Sequence, residues 1–481
     1  MKKIMCALLA LLMVAVPVML ASCSDSADTD ATTTAAEGGT GDTAAGDVST
    51  ADEVTETLDL PETDYDGRTF TMLSNTDLTY NYGTCDFDEP SDDAREQALY
   101  ERGVAVEELL NVTVTMVQDD LGGDIYSLMK TDVDAGTTNY DIVFNSMGYS
   151  CTATGAGLCY NIDEIEYIDL TKSWWNTDCT EQLALGGNHY MIGGDIAVND
   201  KECIWVVYFL TDLIEQNNLE SPYDLVNNNE WTWDKMMQMA DTADRDENGN
   251  GTRDSGDIYG LCTHSENYAA SWESAGLKLI TLDSTGYPTV SWGTDEFVEV
   301  YTQIQELMDN SDVVSADNVE FISTSLEQGQ TLFGTEVIAF AMEYRESEYD
   351  FGIIPYPKYS SDIDRYYSYI AYNASVMTVE LTHGDTEFVG IVTEALAYYG
   401  QEYLTPAYYE VQLQSRFSRD EESAAMLDII FEYRCYDLGV FFDWGSAKTS
   451  LSTSGASPST LYASLSKSIN KAIEKSLSKL T

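Results

Sequence analysis

The chain has 481 residues, with 83 acidic side chains against 23 basic ones and a formal net charge of −60. That balance excludes a duplex nucleic-acid binder, which needs clustered Lys and Arg to displace counterions from phosphates, and polybasic attachment to anionic lipid. Apolar residues make up 44 %, with 32 Tyr and 8 Trp, which is too much buriable surface for a disordered acidic tail and enough for two or three domains.

The chain opens with Lys2 and Lys3, an apolar run over 4–21 interrupted by Pro17, and the sequence Leu20-Ala21-Ser22-Cys23. A short basic start, an apolar stretch and small residues before a cut describe a secretory signal over residues 1–22. Leu-Ala-Ser-Cys is similar to a bacterial lipobox. The resemblance implies cleavage before Cys23, acylation of its thiol and a position on the extracellular face of the cell membrane, where two acyl chains give stable anchoring. Residues 23–60 are rich in Ala, Thr, Gly, Asp and Glu; they cannot bury enough surface to offset chain entropy and read as a disordered acidic linker. Once Cys6 and Cys23 are set aside, seven cysteines remain (Cys85, Cys151, Cys159, Cys179, Cys203, Cys262, Cys435). The count is odd and no C-x-x-C occurs, so zinc and redox motifs are missing. Cys151 and Cys159 either close a small loop or stay as free thiols.

The body reads as alternating strands and helices. Residues 69–73 have a strand's composition after the turn Asp66-Gly67, and Pro90-Ser91 supplies a helix start for Ala94, Ala98, Ala105 and Leu109. Residues 112–117 alternate as a second strand, and 141–144 form a third. Strand, helix, strand, helix, strand predicts a mainly parallel sheet covered by helices. The pattern restarts with a buried-type strand at 203–209 and helical periods at 211–215 and 233–243. Two segments look like crossovers between halves: the glycine-rich 193–200 and residues 349–358. Two α/β lobes joined by more than one strand make a hinge with a cleft between them. The C-terminal segment is an amphipathic helix, with Leu461, Leu465, Ile469, Ile473, Leu477 and Leu480 on one face.

Asp246-Glu247-Asn248-Gly249-Asn250-Gly251-Thr252-Arg253-Asp254-Ser255-Gly256-Asp257 fits a twelve-residue calcium loop. Asp246, Asn248, Asn250, Asp254 and Asp257 place side-chain oxygens at positions 1, 3, 5, 9 and 12. Thr252 offers its carbonyl at 7, and Gly251 makes the sharp turn at 6. Asp257 stands where a bidentate Glu is usual, which weakens the expected affinity. The expectation is a structural Ca2+ that braces a strand.

Residues 205–209, Asn217-Asn218-Leu219-Glu220-Ser221-Pro222-Tyr223 and Glu230-Trp231-Thr232-Trp233-Asp234-Lys235-Met236 together resemble the extracellular solute-binding proteins of family 1, the carbohydrate receptors of ABC importers. Trp174-Trp175-Asn176, Gly194-Asp195-Ile196, Ile258-Tyr259-Gly260-Leu261 and the 351–358 phrase fit the same group, over roughly 61–481. The resemblance implies an α/β, two-lobed type II periplasmic-binding-protein fold, closure on a ligand, no catalysis by this chain, and membrane permease subunits as partners of a monomeric receptor. Its layout places the first lobe at 61–195 plus 350–402 and the second at 196–349 plus 403–481.

A sugar presents an apolar C–H face to Trp or Tyr and hydroxyls to Asp, Glu, Asn and Arg. Trp272 lies where the resemblance implies a stacking aromatic, and Tyr149 follows the third strand at its carboxyl end, where open α/β sheets place ligands. Asp200 sits at the first crossover, Glu343, Tyr344 and Arg345 precede the second, and Trp444 lies near the C-terminus. Trp174, Trp175, Trp231 and Trp233 read as core residues. Two other readings share these features. A glycan-acting hydrolase would use two carboxylates that no local motif marks, and a peptide-binding or adhesion lipoprotein would use the same cleft.

Overall fold

The computed structural model describes residues 56–75, 86, 88–119, 125–264, 268–310, 314–317, 319–409 and 421–480. The signal segment, Cys23 with its acylation, the tether up to residue 55 and Cys85 lie outside the described residues. The end of the expected linker is ordered against the body. The Glu56 carboxylate accepts the Ser173 N–H at 2.9 Å, and Leu58 and Leu60 pack against a buried apolar cluster.

The chain runs through β1 (Arg68–Asn75), β2 (Val112–Asp119) and β3 (Ile142–Ser146). These pair in parallel in the order β2-β1-β3, with β1 central; β3 is buried throughout, while β2 buries Val112 and Val114 and exposes Thr113, the alternation of a strand covered on one face. Phe70 and Met72 face one apolar cluster and Leu73 the other, the period-two alternation a strand imposes. Helix Ala94–Leu110 begins four residues beyond Pro90. Asp93 is its N-cap, accepting the N–H groups of Arg95 and Glu96.

The second half supplies β4 (Trp205–Leu210), β5 (Tyr259–His264), a small hairpin of β6 (Ile280–Leu282) and β7 (Pro288–Val290), β8 (Val314–Asp317), β9 (Thr331–Val337) and β10 (Phe351–Ile354). Five of these form a mixed sheet in the order β10-β4-β9-β5-β8. Phe351–Ile354 therefore belongs to the second sheet, antiparallel to β4, whereas the sequence pointed to the start of a return to the first lobe there. The return comes later. After β11 (Ser368–Tyr369), the chain enters the first sheet as β12 (Ser375–Thr378), antiparallel to β3, and β11 pairs with β13 (Arg434–Cys435).

The final helix, Pro458–Leu477, buries Leu461, Ile469 and Ile473, with Leu465, Leu477 and Leu480 packed partly buried against the same cluster. It touches helix Met147–Ala156 as well as β7 and helix Asp295–Met308. The six described cysteines are buried and unpaired. Burial pushes the Cys159 thiol up to about 12, so at neutral pH it behaves as a small apolar group with a weak S–H donor. Trp174, Trp175, Trp231 and Trp233 are all buried.

Candidate ligand cleft between the two sheets

Two crossing segments join the sheets. The first leaves the β12 edge at Ile192, bridged to Met377, and enters β4 at Trp205; the second runs from Tyr369 to Ser375. They meet through a bridge between Ile204 and Ile370 and an Ala371 N–H donated to Cys203 O at 2.9 Å. The carboxyl ends of β1 and β3 lie at the first sheet's side of this crossing, beside the start of β12. The carboxyl end of β9 lies at the second sheet's side, opposite the start of β4. Ligands of open α/β sheets bind at such strand ends.

On the first-sheet side, β3 ends in Asn145 and Ser146. Both are buried, and Asn145 Nδ2 and Ser146 Oγ make no hydrogen bond to the protein. A buried polar atom without a partner costs about 1–3 kcal/mol, so two together mark a place that a polar guest can complete. Ser146 is also the residue before helix Met147–Ala156, and its hydroxyl makes no capping bond. Tyr149, on the first turn of that helix, is 42 % exposed. Tyr372, in the second crossing, is 38 % exposed, and its ring lies so close over Gly148 that a methyl group there would overlap it. Lys448 Nζ stands 5.4 Å from the Tyr372 ring centroid.

On the second-sheet side, Trp205 opens β4 and stacks on His264 at the end of β5, with ring centroids 6.1 Å apart. Its other neighbour is Tyr369, at 6.4 Å and 12° from parallel. This aromatic row follows from strand pairing, which sets the start of β4 beside the ends of its neighbours. Sequence reading took Trp205 as strand core and passed over Tyr372, Asn145 and Ser146. Only the alternation around β3 and the position after a crossover could have flagged them.

The other sequence-derived candidates do not gather at the cleft. Trp272 is fully buried in the second lobe, its ring against Phe297 and stacked on Tyr301; its helical face, turned to the core, leaves no surface for a sugar. Tyr344 is likewise core, edge-on to Tyr208 and Phe351, with its hydroxyl donating to Ser323 Oγ at 3.2 Å. The side chains of Glu343 and Arg345 lie outside the described residues. Trp444 is stacked on Phe442 at 4.2 Å and donates its Nε1–H to Ser476 Oγ of the final helix.

Asp200 belongs to a buried ionic clasp at the hinge. Lys201 Nζ lies 2.9 Å from Asp195 Oδ1 and 3.6 Å from Asp200 Oδ1, and Arg434 Nη1 pairs with Asp200 Oδ2. Asn176 adds a hydrogen bond to Asp200 at 2.9 Å. Burial alone would raise the Asp200 carboxyl, but Lys201 and Arg434 overcome it and hold the group below its ordinary value. A second pair, Arg95–Glu202 at 2.8 Å, ties helix Ala94–Leu110 to the same crossing. A polar hollow of about 270 Å³ beside the clasp is lined by Trp174, Asn176, Asp195, Asp200, Lys201 and Arg434. Its two cations are already paired with Asp195 and Asp200, so the strand ends, with their unsatisfied polar atoms, are the better place for a guest.

Comparison with known proteins finds no matching family model and no matching curated sequence. Solved structures do match. A cyclo/maltodextrin-binding protein complexed with maltotetraose superposes with a TM-score of 0.57 at 12 % identity, covering 85 % of this chain and 98 % of that one. An ABC substrate-binding protein from Listeria monocytogenes in complex with cycloalternan gives 0.54 at 12 % identity, covering 85 % and 100 %. The maltose/maltodextrin-binding domain from Bdellovibrio bacteriovorus bound to maltotriose gives 0.54 at 14 % identity, covering 84 % and 100 %. At such identities the likeness speaks for architecture: the chain has the two-lobed α/β fold of type II periplasmic binding proteins.

Proposed function

We propose that the chain is a lipid-anchored extracellular receptor that captures a sugar or oligosaccharide between its lobes and presents it to the permease subunits of an ABC importer, without chemical change to the solute. The observation that carries the reading is the pairing of chemistries at the strand ends. The exposed rings of Tyr149 and Tyr372 suit the C–H faces of a pyranose, and the stack of His264 with the buried Trp205 and Tyr369 backs the second-sheet side of the cleft. Asn145 Nδ2 and Ser146 Oγ suit its hydroxyls. The three matched proteins above carry cycloalternan, maltotriose and maltotetraose, which favours a glucan-type ligand for this chain. Closure follows as a shift between open and closed states, limited by how much more tightly the closed state holds the sugar.

Calorimetry against a panel of malto-oligosaccharides and cyclic glucans tests this, with scattering to follow compaction. Binding with compaction in the parent, weakened at least tenfold by the double substitution Tyr149→Ala and Tyr372→Ala, supports the receptor. Hydrolysis of a glycan, or thermal shifts with peptides alone, would replace it with one of the other two functions. The membrane anchor has its own test: palmitate labelling that disappears in Cys23→Ala.

A further inference from the structure

The solute-binding reading leaves the loop between Arg245 and Ile258 without a role. The loop is closed at its base by a two-bond bridge between those residues, at 3.0 and 3.1 Å, and leads directly into β5. The Asp246 carboxylate accepts the N–H groups of Gly249, Asn250 and Gly251 at 2.6, 3.2 and 2.7 Å. Gly249 and Gly251 both have left-handed φ, +68° and +74°, which lets six residues turn back on themselves. The amides of Asn248 and Asn250 converge on Asp254, at 2.9 and 2.7 Å. A side chain at Gly256 would collide with Asn248 Nδ2 and Asp254 Oδ1, so the chain must be bare there for these groups to meet.

A separate observation points to a missing partner. Asp257 is only 3 % exposed. Its Oδ2 accepts the Asp254 N–H at 2.9 Å, which directs the carboxylate at the loop, while its Oδ1 is buried with no hydrogen bond. A buried carboxylate oxygen left bare is costly unless a cation or donor meets it. The nearby arginines do not serve. Arg253 pairs with Asp244 at 2.7 Å and lies over the Tyr259 ring, and Arg245 pairs with Glu247. Among the described residues no three carboxylates, imidazoles or thiolates make a metal site by themselves. A metal ion here would be held by a mixed set of carboxylate, amide and carbonyl oxygens, which is the preference of a hard cation of calcium's size.

We infer that this loop binds Ca2+, through side-chain oxygens of Asp246, Asn248, Asn250, Asp254 and Asp257 and the carbonyl of Thr252. Both asparagines turn their Oδ1 atoms from the backbone N–H groups they now accept to the ion. The short Asp257 contributes less than a bidentate Glu would, which sets the affinity in the weak range of extracellular modules, roughly 10⁻⁴–10⁻³ M. The ion would fix the lead into β5, whose last residue is the His264 that stacks on Trp205. None of this depends on what the cleft holds.

The test uses the full chain stripped with a chelator and needs no sugar. Adding 10 mM CaCl₂ is expected to raise the melting temperature by roughly 1–4 °C, with 10 mM MgCl₂ giving less than half of that. Tb³⁺ should luminesce in the stripped chain and be displaced by Ca2+. In Asp257→Asn, calcium's apparent Kd should rise at least tenfold while the chelated variant melts no lower than the chelated parent, because the bare carboxylate is gone. Identical melting with chelator and with calcium, an equal response to magnesium, or an undiminished calcium shift in Asp257→Asn would each overturn the assignment.

Discussion

Glu380 offers the sharpest test of the first lobe's electrostatics. It follows β12, bridged to Cys159, and is fully buried, with neither carboxylate oxygen hydrogen-bonded. Burial, and then the neighbouring Asp132, push its carboxyl from the ordinary 4.5 up to about 8. A folded-state value above the unfolded one means the stability is whole below pH 4.5 and is lost as pH rises towards 8. At pH 7 the unfolded chain has released this proton and the folded one still holds it. The deficit is 1.36 kcal/mol for each of two and a half pH units, about 3 kcal/mol. In Glu380→Gln the titration disappears. The new amide is as poorly partnered as the acid, costing about 1–3 kcal/mol at every pH. Urea unfolding of parent and variant at half-unit steps from pH 4.5 to 8 isolates the difference, since all other groups cancel. The variant should gain about 3–4 kcal/mol on the parent across that range. Parallel curves would mean that the Glu380 carboxyl ionises in the folded protein as it does in the unfolded chain, and the burial argument would fail.

Trp272→Ala should cost about 3–5 kcal/mol in urea unfolding, the price of emptying a core site against Phe297 and Tyr301, while Trp272→Phe keeps sugar affinity within twofold in calorimetry. Asp200→Asn strips the clasp of a charge and leaves Arg434 under-compensated, so it should destabilise by about 3–5 kcal/mol; weakened sugar binding at unchanged stability would instead place Asp200 in the ligand site. Gly148→Ala must displace the Tyr372 ring. Because the Tyr372 ring is 38 % exposed and can swing into solvent, we expect less than about 1 kcal/mol in stability and a severalfold loss of sugar affinity by calorimetry.

The strands were legible wherever short-range pattern decides the outcome. Residues 69–73 and 112–117 carry period-two alternation, and the final helix buries Leu461, Ile469 and Ile473 along the face that 3.6-residue spacing selects. The assignment of 351–354 to a sheet was not legible, because its partner β4 lies about 140 residues away and both sheets accept the same composition. The site failed for a related reason. Trp272 and Tyr344 are aromatic residues near the expected places, but the rotation of a helix about its axis decides between cleft and core, and Phe297, Tyr301, Tyr208 and Phe351 settle it. Trp205 lies in a strand, as its sequence context predicts, and its stacking between His264 and Tyr369 appears only when β5 and the crossing segment bring them alongside.

The net charge offers a way to identify the class of solute without knowing the solute. A chain at −60 surrounds its cleft with a negative potential whose reach is about 10 Å at 0.1 M salt and about 3 Å at 1 M. An anionic solute must enter against that potential, so its affinity should climb as salt rises; a cationic one should weaken. A neutral saccharide feels neither change. The hinge cannot mimic these trends, since its pairs Lys201–Asp195 and Arg95–Glu202 are buried and poorly screened. If the exposed Tyr149 and Tyr372 rings and the unpaired Asn145 and Ser146 atoms receive a neutral sugar, calorimetric Kd between about 0.05 and 1 M NaCl should vary by less than about twofold. A tenfold trend in either direction would assign the cleft to a charged solute and leave the stacking argument without its ligand.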